Sequence, residues 1–131
     1  MKHTLFILLI LLVAACDPNR RINMINRTNE DVEFTWKIKE DSIKQSPLFM
    51  SNSATVHFTL KNKKPSNRIS MSAGVGNWTK TELEQFTNDL ESMEIKWRNE
   101  SIKLDTCTKI MDYLVLRRKG VGHRKINLVI K

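Results

Sequence analysis

Apolar and polar residues alternate along much of this chain. The clearest example lies at residues 32–38, where every second side chain is apolar: Val32, Phe34, Trp36 and Ile38. Successive side chains of a strand point to opposite faces, so a period of two predicts a β-strand with one buried and one solvated face. Residues 22–27 precede this strand across a polar turn at 28–30, and the arrangement predicts a β-hairpin.

Further segments of similar composition predict additional strands in an antiparallel arrangement. They lie at residues 54–60, 69–71, 93–97, 102–104, 113–116 and 126–130. Polar or glycine-rich turns at 98–100 and 119–123 join the last four segments into two further hairpins. Residues 106–112 fit neither pattern clearly, although Ile110 and Met111 indicate a turn of helix.

One amphipathic helix is predicted at about residues 79–92. Thr79 and Glu82 have the spacing of a capping box, in which the threonine hydroxyl accepts a hydrogen bond from the Glu82 amide. Trp78 and Leu83 have the spacing of the hydrophobic staple that accompanies such a helix start. Apolar residues then recur at helical spacing: Leu83, Phe86 and Leu90. The helix is therefore expected to pack one face on the strands.

The predicted fold class is mainly β, an antiparallel β-sandwich of about eight strands with one amphipathic helix. An α+β fold, in which the helix packs on one antiparallel sheet, is the alternative. Residues 22–131 form a single mostly β domain in this interpretation, since a chain of this length holds one hydrophobic core.

An unbroken apolar run occupies residues 5–15 near the start of the chain. As a helix it would measure about 16 Å, roughly half the thickness of a bilayer core. Polar residues follow directly after Cys16, so the run has the size of a signal-peptide core. An ordinary cleaved secretory signal is one interpretation of this segment.

Small residues at 13–15 stand directly before Cys16. This stretch resembles the lipobox of bacterial lipoproteins, in which the signal peptide is removed and the cysteine carries a diacylglycerol and an N-acyl chain. The resemblance implies that residues 1–15 are cleaved, that Cys16 is lipidated and that residues 16–21 form a short tether. It also implies export to the cell envelope. Asp17 resembles an inner-membrane retention signal of some bacteria, and the choice between inner and outer membrane stays open.

The formal net charge of the chain is +8, and its basic residues are concentrated after Asp112, where no acidic residue occurs. The patch consists of Arg117, Arg118, Lys119, Arg124 and Lys125. Such a patch attracts anionic surfaces, and for a lipid-anchored chain the nearest one is the membrane. For an exported chain, nucleic acid is not an expected partner. The alternative is a solvated pair of strands whose lysines discourage edge-to-edge association.

Residues with catalytic or metal-binding chemistry are few in the predicted domain. His57, His123 and Cys107 show none of the zinc-ligand spacings, and the sequence has no nucleophile-elbow motif. We therefore expect no metal, no cofactor and no enzymatic activity, with a thiol–imidazole pair of Cys107 and a histidine as the minor alternative. Lipidation of Cys16 leaves Cys107 without a disulfide partner. We therefore expect the Cys107 side chain to be partly buried and to pack like a small apolar residue. The tryptophans are expected in the core.

The layout also resembles a loose group of small bacterial envelope lipoproteins with sandwich-like domains, through Gly76-Asn77-Trp78 before the helix and a hairpin at 95–104. The resemblance implies no activity and carries over no functional residue besides Cys16. With catalytic residues so few, we expect a membrane-anchored, non-catalytic binding or structural module. Its expected partners are membrane lipid, through Cys16, and an envelope protein or glycan. A small immunity or inhibitor lipoprotein and a Cys107-dependent enzyme are the alternatives.

Overall fold

The computed structural model describes residues 19–44, 48 and 53–131. Within them, eight strands form two four-stranded sheets. The strands are β1 (Asn19–Asn26), β2 (Val32–Ile38), β3 (Thr55–Leu60), β4 (Arg68–Val75), β5 (Leu90–Trp97), β6 (Glu100–Leu104), β7 (Arg118–Lys119) and β8 (Lys125–Ile130). The other elements are helices α1 (Lys80–Asn88) and α2 (Cys107–Val115) and single 3-10 turns at Glu40–Ser42 and Val121–His123.

The first sheet, termed the β1 sheet, has the strand order β4-β1-β8-β7, and the second, the β2 sheet, has the order β3-β2-β5-β6. Neighbouring strands are antiparallel except β1 and β8, which run parallel. Both sheets and both helices bury side chains in one hydrophobic core. The predicted mainly β sandwich is therefore confirmed.

Alternation along β2 places its apolar side chains in that core. Phe34 lies between Phe58 of β3 and Ile95 of β5 in the sheet register. Phe34 and Ile95 are fully buried, and Phe58 is nearly so. Burial of a side chain of this size stabilises the fold by about 1.5–3 kcal/mol. The period of two in the sequence thus reflects one inner and one outer face.

The β1 sheet also has an apolar inner face and a polar outer face. Ile22 pairs with Ile126 on its inner face, and both are fully buried. On the outer face, Asn23 Nδ2 donates to Asn127 Oδ1 at 2.8 Å, and Ser70 Oγ donates to Asn23 Oδ1 at 2.7 Å. A ladder of polar side chains therefore links β4, β1 and β8 on the solvent side.

The predicted hairpin between residues 22–27 and 32–38 is wrong, because β1 and β2 lie in different sheets. Asn26, at the end of β1, explains the crossing. Its Nδ2 donates to the carbonyls of Glu30 at 2.7 Å and Leu60 at 3.0 Å, and its Oδ1 accepts from the Thr28 amide at 2.8 Å. The buried side-chain amide of Asn26 thus supplies hydrogen bonds to backbone groups around the loop that carries the chain from one sheet to the other.

The predicted hairpin at residues 93–104 is confirmed as β5 and β6. Ile95 pairs with Ile102, and Trp97 pairs with Glu100, so Arg98 and Asn99 form the turn. Arg98 has a positive φ of 52°, as tight two-residue hairpin turns require. The sequence was sufficient here because the two partner strands follow one another directly.

The predicted strand at residues 113–116 is also wrong, since most of it lies in α2. Thr106 caps this helix, with its Oγ1 accepting from the Lys109 amide at 3.3 Å. Ile110 and Leu114, four residues apart, are fully buried, which is the spacing of one helix face. A four-residue apolar run does not distinguish helix from strand. The short strand β7 pairs with β8 in place of the predicted segment, and the sandwich has two helices.

Helix α1 starts as predicted and ends earlier. Thr79 Oγ1 accepts from the Glu82 amide at 3.2 Å, which confirms the N-cap. The Glu82 carboxylate pairs with Arg20. The helix ends at Asn88, and Leu90 already belongs to β5, so the predicted extent to residue 92 is too long.

The core prediction for the tryptophans is confirmed for Trp36 and Trp78, which are 0% and 1% exposed. The Phe86 ring of α1 makes edge-to-face contacts with both, at centroid distances of 6.0 Å and 5.6 Å. Trp97 is only partly buried against the core. The aromatic contacts join α1 to the sandwich.

Candidate functional site

The predicted lipidation site, Cys16, lies outside the described residues, as does the apolar run before it. Strand β1 begins at Asn19, inside the segment 16–21 that was predicted to form a tether. Asp17 and Pro18 separate Cys16 from the strand. No helix within the described part of the chain is long and apolar enough to cross a membrane.

Two of the predicted surface-contact residues, Arg117 and Arg118, donate hydrogen bonds to backbone carbonyls of the domain. Arg117 Nη1 donates to the Tyr113 carbonyl at 2.8 Å, and its guanidinium carbon lies 3.4 Å from the centre of the Tyr113 ring. Arg118 donates to the carbonyls of Val115 at 3.3 Å and Trp78 at 3.1 Å. These bonds satisfy carbonyls at the end of α2 and fasten β7 to the start of α1.

The other three predicted residues lie together with an arginine that the sequence analysis missed. Lys125 pairs with Lys119 of β7 on one side and with Arg21 of β1 on the other. Residues paired across neighbouring strands lie on the same face, and these three are exposed. Arg124 lies beside the row: its carbonyl accepts from the Arg21 amide at 3.1 Å, and its Nε donates to Asn77 Oδ1 at 3.4 Å.

A groove of about 460 Å³ lies beside Arg20 at the start of α1. The arginine is held on several sides: Nε donates to the Ala73 carbonyl at 3.2 Å, and the guanidinium pairs with Glu82 and lies 5.1 Å from the Trp78 ring centre. The Trp78 ring at the base of the groove is buried. The groove therefore presents no tryptophan face on which a sugar could stack.

The outer face of the β2 sheet carries a second groove, of about 430 Å³. Thr35 pairs with His57 and Glu94, and Glu94 pairs with Lys103, so the four form a row across the sheet. Thr35 Oγ1 lies 3.0 Å from His57 Nδ1. The groove is lined by Thr35, Lys37, Thr55, Glu91, Ser92, Glu94, Lys103 and Asp105. Hydroxyl, carboxylate and ammonium groups therefore lie together along this groove.

Cys107 is the first residue of α2 and is half-buried. Its helix follows β6, whereas His57 lies on β3, at the opposite edge of the β2 sheet. Three strand spacings separate these edges, about 14 Å, so the structure does not bring Cys107 and His57 together. His123 lies in the 3-10 turn between β7 and β8. Among the described residues, no group of three or more His, Cys, Asp and Glu could hold a metal ion.

Two shifted pKa values lie at opposite ends of α2. Burial raises the pKa of Tyr113, although the neighbouring Arg117 charge opposes this shift. A hydrogen bond from Lys109, 2.7 Å from the Asp105 carboxylate, lowers the pKa of that carboxyl. The first shift comes from burial and the second from a hydrogen bond on the exposed surface, and the two groups do not converge on one cleft.

The chain matches no protein-family model, no curated protein and no solved structure. Its candidate sites therefore rest on its own residues and their geometry.

Proposed function

We propose that this chain is a lipoprotein of the bacterial cell envelope, held at the inner or outer membrane through lipidated Cys16 and carrying a non-catalytic binding domain. The proposal is carried by the thiol that follows the small residues at 13–15, at the end of an apolar run too short to cross a bilayer. Each buried CH₂ of an acyl chain contributes about 0.8 kcal/mol, so several chains on one cysteine make the attachment near-permanent.

The position of the first strand supports an anchor at Cys16. Since β1 begins at Asn19, at most about 11 Å of extended chain separates the two residues. A domain on so short a connection acts at the membrane surface.

Metabolic labelling of the full chain with an alkyne fatty acid tests the anchor. We expect the wild-type chain to incorporate label and to fractionate with membranes, and Cys16→Ala to do neither. Cys107→Ala is the matched control, because it removes the other cysteine and should be labelled like the wild type. Label in Cys16→Ala, or an unlabelled wild-type chain, would contradict the proposal.

For the binding role, we propose that the outer face of the β2 sheet contacts an envelope protein or glycan. The support is the groove of about 430 Å³ on that face and the polar groups that line it. Hydroxyl, carboxylate and ammonium groups on a rigid sheet suit recognition by hydrogen bonds.

Backbone NMR during titration with soluble cell-wall glycan fragments tests the glycan arm of this proposal. Shifts concentrated at Thr35, Glu94 and Lys103, and lost in Glu94→Gln, would support it. Shifts confined to other surfaces would contradict the assignment of this face. Ser70, on the outer face of the β1 sheet, offers a matched control substitution, Ser70→Ala.

A further inference from the structure

One end of the β1 sheet carries positive charge that no described acidic residue neutralises. We term it the basic end; it consists of Arg21, Lys119, Arg124 and Lys125. The ion pairs of the described residues involve none of these four. Like charges placed opposite one another on neighbouring strands are destabilising. The row of Arg21, Lys125 and Lys119 is therefore unfavourable by itself and is suited to an anionic partner.

An apolar side chain projects from the same end. Val121 is 88% exposed in the turn between β7 and β8. The turn is held in place, since the Trp78 amide donates to the His123 carbonyl at 3.0 Å. Gly122 packs so closely on Asn77 that a Cβ would come within 2.7 Å of the Asn77 side-chain oxygen. An ordered turn thus presents an apolar residue among cations, a combination typical of membrane-contacting surfaces.

The connection to Cys16 leaves the domain from this end. Strand β1 starts there at Asn19 and ends at Asn26, about 23 Å further along the strand. A lipid on Cys16 would hold the start of β1, at Asn19, within about 11 Å of the headgroups, and Arg21 of the basic end follows two residues later. The opposite end would lie well beyond the Debye length, which is about 8 Å at physiological salt. The anchor therefore selects which charges reach the membrane.

We propose that the basic end docks on the anionic phospholipid bilayer that holds the Cys16 anchor. Arg21, Lys119 and Lys125 contact lipid phosphates, and Val121 enters the headgroup region. This inference rests on the proposed function, because the anchor sets the orientation. Docking fixes the tilt of the domain and directs its opposite end, with the β3–β4 loop, into the envelope space.

Depth measurements on the full chain, purified with its lipid and reconstituted in vesicles, test the docking. An environment-sensitive fluorophore is attached at Val121→Cys in a Cys107→Ala background, where a lipidated Cys16 does not react. We expect spin-labelled lipid to quench this probe in vesicles of phosphatidylcholine mixed with phosphatidylglycerol. A probe at Lys63→Cys, in the β3–β4 loop at the opposite end, should remain unquenched.

A matched pair of charge variants tests the contribution of the cations. Arg21→Gln, Lys119→Gln and Lys125→Gln together remove three positive charges from exposed positions. Each cation near an anionic surface raises the ratio of docked to undocked domain about fivefold. Loss of three cations should therefore lower this ratio about a hundredfold, and quenching of the probe at Val121→Cys should decrease as a result. The control removes the same charge at the opposite end and should leave the quenching unchanged. It changes Arg27, Lys63 and Arg68 to Gln.

Equal quenching of the two probes, or equal effects of the two charge variants, would overturn the docking. Intact mass distinguishes this outcome from failure of the anchor. If the mass shows no lipid, the proposed function fails, and sedimentation of the unlipidated chain with the same vesicles decides the docking separately. Binding to phosphatidylglycerol vesicles that is lost in the first charge variant would support docking, and absence of binding would overturn it.

Discussion

Arg20 and Glu82 form an ion pair that joins the first strand to the first turn of α1. The same guanidinium donates to the Ala73 carbonyl at 3.2 Å and lies 5.1 Å from the centre of the Trp78 ring. The Arg20 side chain is 13% exposed and that of Glu82 is 39% exposed. One cation therefore links β1, β4 and α1 in a partly dry environment, where charge-assisted hydrogen bonds are strong.

Replacement of Arg20 by methionine is expected to lower the free energy of unfolding by about 2 kcal/mol, because it leaves the Glu82 carboxylate without its counter-charge and the Ala73 carbonyl without its donor. Glu82→Gln should cost about 1 kcal/mol, since water reaches Glu82 and compensates in part. Urea unfolding followed by circular dichroism measures both. As a control, Lys80→Met breaks the exposed pair with Glu84 at 3.9 Å and should change stability by less than about 0.5 kcal/mol. A cost for Arg20→Met no greater than that of the control would contradict the prediction.

Gly74 and Gly76 both have positive φ, +98° and +88°, but only Gly74 is crowded. A Cβ at Gly74 would come within 2.7 Å of Arg20 Nη2, whereas nothing lies within 4 Å at Gly76. Gly76→Ala should lower the free energy of unfolding by about 1 kcal/mol, because alanine at this positive φ strains the backbone. Gly74→Ala should lower it by about 1 kcal/mol more, because the Arg20 guanidinium must also move. Thermal denaturation compares the two. Arg20→Met combined with Gly74→Ala should cost less than the sum of the single changes; strict additivity would contradict the contact.

Asn26 is expected to be among the most sensitive polar positions, since it is 1% exposed and its side-chain amide donates to the Glu30 carbonyl in the loop after β1 and to the Leu60 carbonyl at the end of β3. Asn26→Ala should lower the free energy of unfolding by about 2–3 kcal/mol, because buried carbonyls lose their donor. Asn62→Ala is the control: its side chain donates to the Asn29 carbonyl at 2.8 Å in an exposed loop, where water replaces the bond. Similar losses in the two variants, measured by chemical denaturation, would rule out a special role for Asn26.

Strand faces in this protein are predictable from the sequence, whereas strand neighbours are not. Alternation identifies Val32, Phe34 and Trp36 as inward-facing whatever lies beside them, and these residues are fully buried. The partners of β1 are β4 and β8, which follow far along the chain. The sequence next to β1 offered a turn and an alternating strand, so the local hairpin was predicted. The buried amide of Asn26 holds the crossing loop against the end of β3, a contact that the sequence pattern does not indicate.

The basic end was predicted only in part, because its residues come from strands that are distant in the sequence. The predicted patch includes both Arg118 and Lys119, yet alternation places these neighbours on opposite faces of β7. Arg118 pairs with the buried Ile126, and Lys119 pairs with Lys125 on the outer face. Arg21 joins the row only through the parallel pairing of β1 with β8. A surface assembled from distant strands follows from topology and not from local charge.

Tyr113 is the single tyrosine of the chain, and its titration reports directly on α2. Burial raises its pKa above the usual 10.0, with the Arg117 charge opposing the shift. The folded state thus holds the phenol proton more tightly than the unfolded chain does. The corresponding stability is present in full below about pH 10 and is lost as the pH rises through the raised pKa. Unfolding at a series of alkaline pH values should show this decline, and Tyr113→Phe should remove it.

The tyrosinate absorbance band gives the pKa of Tyr113 without interference and tests the contribution of Arg117. The guanidinium carbon of Arg117 lies 3.4 Å from the ring centre, where a positive charge favours the phenolate. Arg117→Met should therefore raise the pKa of Tyr113 further. Lys119→Met removes the same charge from an exposed position on β7 and should leave that pKa unchanged. A lower pKa of Tyr113 in Arg117→Met, or equal shifts in both variants, would show that the contact does not act on the phenol.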